Sequence, residues 1–130
     1  MPLRPRVLVV DDETSVARTL RMILESDGYR AITAHSCAEA VELFGNSHRF
    51  DVVITDLNME QPNIGLNVAQ AALKLKNRPV VIICTGFADT ENLQAAMKMQ
   101  VDYVVTKPAD VPELLQAIRR LLAMRKATGA

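Results

Sequence analysis

The chain has 130 residues, of which 49% are hydrophobic, and its 15 basic side chains balance its 15 acidic ones. This length and composition predict one globular domain with its own core. A formal net charge of zero argues against nucleic-acid binding by this chain alone, because such binding depends largely on neutralising phosphates. The two cysteines lack metal-ligand spacing, and the apolar run near the N-terminus is too short for a signal peptide or a membrane span. We therefore expect a cytoplasmic protein.

Short β-branched runs alternate with longer segments of helical period along the chain. Three of the runs are continuously apolar, as expected for central strands that are covered by helices on both faces. This alternation of strand and helix signals predicts an α/β fold with a parallel sheet. The predicted strands are 7–10, 29–34, 52–54, 80–84 and 103–106.

The end of the first helix and the start of the second are marked in the sequence. Val16, Leu20 and Leu24 repeat at helical spacing, and Gly28 stands where a C-terminal cap is expected. The segment 36–39 reads Ser-Cys-Ala-Glu, which has the spacing of a capping box. These signals place one helix before the second strand and one after it.

Three further helices are predicted in the second half of the chain. Two of them cover 64–75, with a possible start at 66, and 90–99. The third follows Asp110, an N-cap acid with a proline and a glutamate in the next turn. Residues 125–130 carry no apolar period, so we expect them to form a short polar tail.

Polar side chains follow four of the predicted strands. Asp11 and Asp12 follow the first, Asp56 the third, Thr85 the fourth and Lys107 the fifth. Because the carboxyl ends of parallel strands meet at one edge of a sheet, where ligands bind, these side chains are expected to converge. Three neighbouring carboxylates repel one another unless a cation neutralises them, and oxygen ligands indicate Mg²⁺. The pattern predicts phosphoryl transfer, with Asp56 as the acceptor.

This set of residues resembles the receiver domain of two-component response regulators, the CheY-like family, over about residues 6–124. The resemblance implies a doubly wound, flavodoxin-like sheet of five parallel strands in the order 2-1-3-4-5, flanked by five helices. It also implies a phosphorylation-controlled signalling switch rather than an enzyme that turns over a metabolite. Its expected partner is a sensor histidine kinase or a histidine phosphotransfer protein, which would donate the phosphoryl group.

The resemblance implies a role for each acid of the site. Asp56 matches the phosphorylated aspartate, and Asp12 matches the direct magnesium ligand. Asp11 matches the acid that holds a metal-bound water. Asn58 matches the residue whose backbone carbonyl completes the metal site.

The resemblance also implies roles for residues that follow the fourth and fifth predicted strands. Thr85 matches the switch hydroxyl and Lys107 the ion-pairing lysine, whose bond to Pro108 is cis in the family. Gly86 directly follows the switch threonine, and its missing side chain leaves a path to the phosphoryl group. Phe87 and Asn58 are expected to flank that path.

The sequence departs from the family pattern in two places. The family usually has proline directly after the residue matching Met59, whereas here three residues, 60–62, end in proline and Gly65 falls one place late. The loop after the acceptor is therefore predicted to be longer. Val104 stands where the family has a switch aromatic, and Tyr103 lies one place too early. We expect the aromatic readout to be weakened or replaced.

Other interpretations of the same residues were weighed. A magnesium-dependent phosphatase of haloacid dehalogenase type also uses an aspartyl nucleophile, but it needs a second acid where this chain has Asn58. A nucleotide-binding module is disfavoured because the turn after the first strand lacks the glycines of a phosphate loop. Asp11 and Asp12 could instead cap the first helix. His35 and His48 are predicted to be surface or edge residues.

Overall fold

The computed structural model describes residues 4–46, 49–86 and 90–127. Within them, five strands and five helices alternate along the chain. The strands are β1 (Arg6–Val10), β2 (Arg30–Ala34), β3 (Val52–Asp56), β4 (Val80–Thr85) and β5 (Tyr103–Thr106). The helices are α1 (Thr14–Ser26), α2 (Cys37–Gly45), α3 (Ile64–Leu73), α4 (Thr90–Met99) and α5 (Val111–Ala127).

All neighbouring strands of the sheet are parallel, in the order β2-β1-β3-β4-β5. The central strands β1, β3 and β4 are almost completely buried, which agrees with their continuous apolar sequences. The predicted α/β class and strand order are therefore confirmed. The carboxyl ends of the strands lie at one edge, where Asp56 pairs in register with Cys84 and Thr85 with Thr106.

The sheet is covered on both faces, so the core has two layers. Val7 and Val9 of β1 pack on the face that is covered by α1 and α5. Leu8 and Val10 pack on the other face, against α2, α3 and α4. This division follows from the alternation of side chains along a strand. The resulting sandwich provides a rigid frame for the edge that carries the polar residues.

The predicted cap signals of α1, α2 and α5 are present, whereas α3 ends at Leu73, two residues before its predicted end. Ser36 Oγ accepts a hydrogen bond from the Glu39 N–H at 3.1 Å, and Glu39 Oε2 accepts one from the His35 N–H at 3.1 Å. This capping arrangement satisfies backbone donors at the start of α2. Gly28, with φ of +97°, follows the end of α1, as expected for a left-handed C-terminal residue. Asp110 Oδ1 accepts from the Glu113 N–H at 3.1 Å and starts α5.

The C-terminal helix is longer than the sequence predicts. The assignment of residue 125 as the start of a polar tail is wrong, because α5 continues to Ala127. Arg125 Nη1 donates to the backbone oxygen of Asp51 at 3.1 Å, which attaches the last turn of α5 to the residue before β3. The tail residues 128–130, together with His48 and Phe87, lie outside the described residues. Each described helix is too short or too polar to span a bilayer.

Gly65, the second residue of α3, lies against the end of β3. Its N–H donates to the Leu57 oxygen at 2.8 Å. A Cβ atom at this position would collide with the backbone oxygen of Asp56 and lie 2.7 Å from the Leu57 Cα. Only glycine allows the helix to approach β3 so closely.

We predict that Gly65→Ala lowers the free energy of unfolding by about 1–3 kcal/mol, the usual cost of overpacking a rigid site. The affected atoms belong to backbone that cannot move without displacing Asp56. Urea denaturation of the two proteins measures the difference. Gly45→Ala is the matched control, because a Cβ atom there meets nothing within 4 Å. Equal losses in the two variants would contradict the close approach of α3 to β3.

Candidate functional site

Three carboxylates meet at the carboxyl edge of the sheet. Asp11 and Asp12 follow β1, and Asp56 is the last residue of β3. One oxygen of each lies within 4.8 Å of the others. Asp11 is buried, Asp56 is half-buried and Asp12 is exposed. The structure therefore brings together the three acids that the sequence singled out, in a cluster that is open to solvent on one side.

Lys107 bridges two of these acids. Its Nζ lies 3.0 Å from Asp11 Oδ2 and 3.2 Å from Asp56 Oδ2. Its backbone N–H donates to the Thr85 oxygen at 2.8 Å, and its peptide bond to Pro108 is cis. The ammonium group at the end of β5 is thus held against the acids at the ends of β1 and β3.

The charges of the site shift the pKa values of its members. Burial raises the pKa of the Asp56 carboxyl; the Lys107 charge opposes this shift, and the Asp11 charge adds to it. Burial alone would lower the pKa of Lys107, but its hydrogen bond to Asp11 and the charges of Asp56 and Asp11 together raise it. Lys107 therefore stays cationic at neutral pH. One cation faces three acids, which leaves an excess of negative charge.

The donor set suits a hard divalent cation. It consists of carboxylate oxygens, and Mg²⁺ is usually bound by one or two carboxylates while it keeps several waters. The exposed side of Asp12 leaves room for those waters. In the described part of the chain, no other group of three or more acidic, histidine or cysteine side chains converges in this way.

Asp11 is held by its backbone and by both carboxylate oxygens. Oδ1 accepts from the Glu13 N–H at 3.0 Å, while Oδ2 accepts from Lys107. Its N–H donates to the Ala34 oxygen at 3.0 Å, and the His35 ring lies 3.1 Å from its carbonyl oxygen. The N-cap position of α1 is Glu13. The first two aspartates therefore do not act as the cap of this helix.

His35 also belongs to this site, although the sequence predicted only a surface or edge residue. Its ring contacts the backbone carbonyl oxygen of Asp11, the first acid of the cluster. His35 directly follows β2, so it obeys the same rule that selected Asp11 and Asp56. Selecting the polar residue that follows each predicted strand would therefore have included His35.

The other predicted site residues surround the cluster. Thr85, the last residue of β4, is 1% exposed and lies one position beyond the residue paired with Asp56. Gly86 is exposed, and a Cβ atom on it would make an ordinary 3.7 Å contact with the Lys107 Cβ. Asn58 is exposed, and its Oδ1 accepts from the Asn63 N–H at 2.8 Å, inside the loop that precedes α3.

A cavity of about 660 Å³ opens beside the acids, between α1 and the start of α5. Asp56 and Lys107 line it, together with apolar residues such as Val16 and Leu20. Cys84 also lines it, and burial raises the pKa of this thiol to about 12, so the thiol adds no charge at neutral pH. The sequence analysis placed access at Gly86 and did not detect this second opening.

The pairing of β5 with β4 does not bring an aromatic side chain to the switch position. Val104 packs on the face of α2, α3 and α4 and pairs in register with Ile83. Tyr103 packs on the opposite face, where its hydroxyl donates to Glu113 Oε1 at 3.2 Å. By strand alternation Thr85 shares the face of Ile83 and Val104. Tyr103 therefore lies on the opposite face of the sheet from Thr85, so its ring cannot respond to a movement of the threonine side chain.

Comparisons with known proteins identify the family of the chain. The family model described as response regulator receiver domain matches residues 7–119. Response regulator ArlR of Staphylococcus aureus is 31% identical over 117 residues, which cover 90% of this chain and 52% of ArlR. A CheY-like receiver domain protein from Methanospirillum hungatei JF-1 has a TM-score of 0.89 at 26% identity, covering 96% of this chain and 98% of that one. A receiver domain protein from Clostridium thermocellum has a TM-score of 0.85 at 32% identity, with coverages of 95% and 98%.

The chain belongs to the response regulator receiver domain family. It is a phosphoacceptor signalling domain of two-component systems. It spans about half the length of the ArlR relatives that it matches.

We predict that Asp56→Asn raises the free energy of unfolding at neutral pH when divalent cations are removed. Because the pKa of Asp56 is raised in the folded state, ionising this carboxyl costs more free energy in the folded chain than in the unfolded chain. The wild-type protein therefore loses stability as the pH rises through that pKa, and the variant does not. Urea denaturation with a chelator at several pH values measures the difference.

The control for this prediction is Asp12→Asn, which removes an exposed carboxylate from the same cluster. Its gain in stability should be smaller, because an exposed charge is less desolvated. A wild-type protein as stable as Asp56→Asn at neutral pH would refute the prediction.

Proposed function

We propose that Asp56 accepts a phosphoryl group in a reaction that depends on Mg²⁺. The observation that carries this proposal is the position of Lys107, whose ammonium lies 3.0 Å from Asp11 and 3.2 Å from Asp56. In this proposal Asp12, Asp56 and the backbone carbonyl of Asn58 hold the ion, and Asp11 takes part through a water molecule. When bound, the ion supplies positive charge next to the transferring group.

The phosphoryl donor is a phosphohistidine of a sensor histidine kinase or a histidine phosphotransfer protein. A carboxylate oxygen of Asp56 attacks the phosphorus, so that an O–P bond forms while the N–P bond of the donor breaks. The electron pair of the broken bond returns to the imidazole nitrogen. Lys107 Nζ, 3.2 Å from Asp56 Oδ2, stabilises the negative charge of the phosphoryl oxygens. Thr85, at the end of the adjacent strand, supplies a hydroxyl to one of them.

The proposed reaction is limited to the chain's own aspartate. In the return step, water attacks the phosphorus, the bond to Asp56 breaks, and inorganic phosphate leaves with the carboxylate restored. The lifetime of the phosphorylated form then sets the duration of the signal. We propose that a single receiver unit, which extends from β1 to the end of α5, carries this cycle. The reason is that β1 and α5 contribute side chains to the same layer of the core.

Incubation with a small-molecule phosphodonor and Mg²⁺ should add one phosphoryl group, and Asp56→Asn should abolish the addition. The reason is that, among the residues that the structure describes, Asp56 alone combines a half-buried strand end, a neighbouring acid cluster and the lysine contact. Intact-mass measurement detects the adduct. Asp51→Asn is the matched control, because Asp51 directly precedes the same strand at the opposite edge. It should be labelled like the wild type.

Undiminished labelling of Asp56→Asn would overturn the assignment of the acceptor. Asp12→Ala tests the metal separately, because it removes one of the few protein oxygens available to the ion. We expect it to need more Mg²⁺ for the same labelling rate. Labelling at an unchanged rate without Mg²⁺ would exclude the proposed role of the metal.

Gly86→Val should slow phosphorylation by small donors several-fold, because branched methyl groups would crowd the path beside Thr85. The fold should tolerate a side chain at this position, since a Cβ atom makes only an ordinary 3.7 Å contact. Labelling rates of wild type, Gly86→Ala and Gly86→Val should fall in that order, with similar urea midpoints. Equal rates would show that donors enter elsewhere, such as through the cavity beside α1.

A further inference from the structure

The backbone of Asp11 contacts residues at the end of β2 through both its N–H and its carbonyl group. The Asp11 N–H donates to the Ala34 oxygen at 3.0 Å, which continues the pairing of β1 with β2. On the other side of Asp11, its carbonyl oxygen lies 3.1 Å from His35 Nδ1. A carbonyl oxygen can only accept a hydrogen bond, so Nδ1 carries the hydrogen and donates it. The His35 ring therefore holds the carbonyl of this peptide.

Holding this carbonyl has a consequence for Asp12. A peptide unit is planar, so the direction of the Asp11 C=O fixes the plane that also contains the nitrogen and Cα of Asp12. The Asp11 carboxylate has its own partners in Glu13 and Lys107. Asp12 is exposed, and no described residue hydrogen-bonds its carboxylate. The placement of Asp12 in the acid cluster thus depends on its backbone.

His35 is itself held in place by the start of α2. Its N–H donates to Glu39 Oε2 at 3.1 Å. Glu60, from the loop after β3, accepts from the Cys37 N–H at 3.0 Å and binds the same turn. The imidazole therefore extends from an anchored backbone, which makes it a rigid support.

We propose that His35 is a positioning residue of the magnesium site, which orients the Asp11–Asp12 peptide so that the Asp12 carboxylate faces Asp56. This inference rests on the proposed function, because it takes Asp12 as a direct ligand of the ion. His35 acts through the peptide and does not ligate the metal itself. Its Nδ1 is occupied by the Asp11 carbonyl, and the converging ligand group consists of Asp11, Asp12 and Asp56. Orienting contacts of this kind commonly tune metal affinity.

Three variants separate this role from a general effect on the fold. His35→Ala removes the donor. His35→Asn keeps an N–H close to the position of Nδ1 and is the conservative rescue. Ser36→Ala removes the cap of α2 but leaves the His35 ring, so it weakens the helix start without removing the contact to Asp11. Magnesium titrations by calorimetry at one fixed pH give the dissociation constant of each variant, and urea denaturation without Mg²⁺ gives its stability.

We expect His35→Ala to raise the magnesium dissociation constant by roughly two- to tenfold, which corresponds to the loss of one ordinary hydrogen bond. His35→Asn should bind Mg²⁺ like the wild type, and Ser36→Ala should be less stable with unchanged affinity. Wild-type affinity in His35→Ala would overturn the proposal. An equal loss of affinity in Ser36→Ala, or no rescue by His35→Asn, would overturn it as well.

A second measurement distinguishes a failure of this inference from a failure of the proposed function. The carbonyl ¹³C signal of Asp11, recorded without Mg²⁺, should shift in His35→Ala and return in His35→Asn. An unchanged signal in His35→Ala would show that the ring does not hold this peptide. If the wild-type protein bound no Mg²⁺ at all, the proposed function would fail, whereas the carbonyl signal would still report on the His35 contact.

Discussion

The contact of one ammonium group with two carboxylates makes the rest of the site possible. A parallel sheet gathers the ends of its strands at one edge, and this sequence puts acids at two of them. Lys107 Nζ lies within 3.2 Å of both Asp11 and Asp56 and offsets part of their repulsion. The compensation is incomplete, because burial still raises the pKa of Asp56. The folded chain therefore keeps an unfavourable negative charge at this edge, and a divalent cation can relieve it.

The fold fixes the backbone of Asp56 while leaving its side chain accessible. The backbone oxygen of Asp56 accepts a hydrogen bond from Thr55 Oγ1 at 2.9 Å. The backbone N–H of the next residue, Leu57, donates to the backbone oxygen of Cys84 at 2.9 Å. Gly65 then lets α3 rest directly on this backbone. Phosphoryl transfer depends on position more than on any special reactivity of a carboxylate. A rigid strand end with a half-buried side chain meets that requirement.

The sequence predicted features that depend on local pattern and missed those that depend on distant contacts. Strands, capping residues and the converging acids follow from β-branched runs, helix-start signals and the geometry of parallel strands. The end of α5 was missed because Arg125 contacts Asp51, 74 positions away in the chain. The contact between His35 and Asp11 spans 24 positions. The position of His35 directly after β2 indicates the edge where it lies, but not its partner. The cavity beside α1 depends on how two helices pack, and neither helix encodes it alone.

The side chains of β5 place no aromatic on the face of Thr85, whereas the loop after Met59 is joined directly to α2. Val104 is β-branched and stiff about its one side-chain torsion, so it cannot swing between two positions as an aromatic does. Tyr103 is bound to Glu113 on the opposite face of the sheet. In contrast, Glu60 in the loop after β3 accepts a hydrogen bond from the first residue of α2. A movement of this loop after phosphorylation would therefore reach α2 directly. The same turn of α2 anchors the backbone of His35, which holds the Asp11–Asp12 peptide, so the loops that follow β1 and β3 are coupled through one helix start.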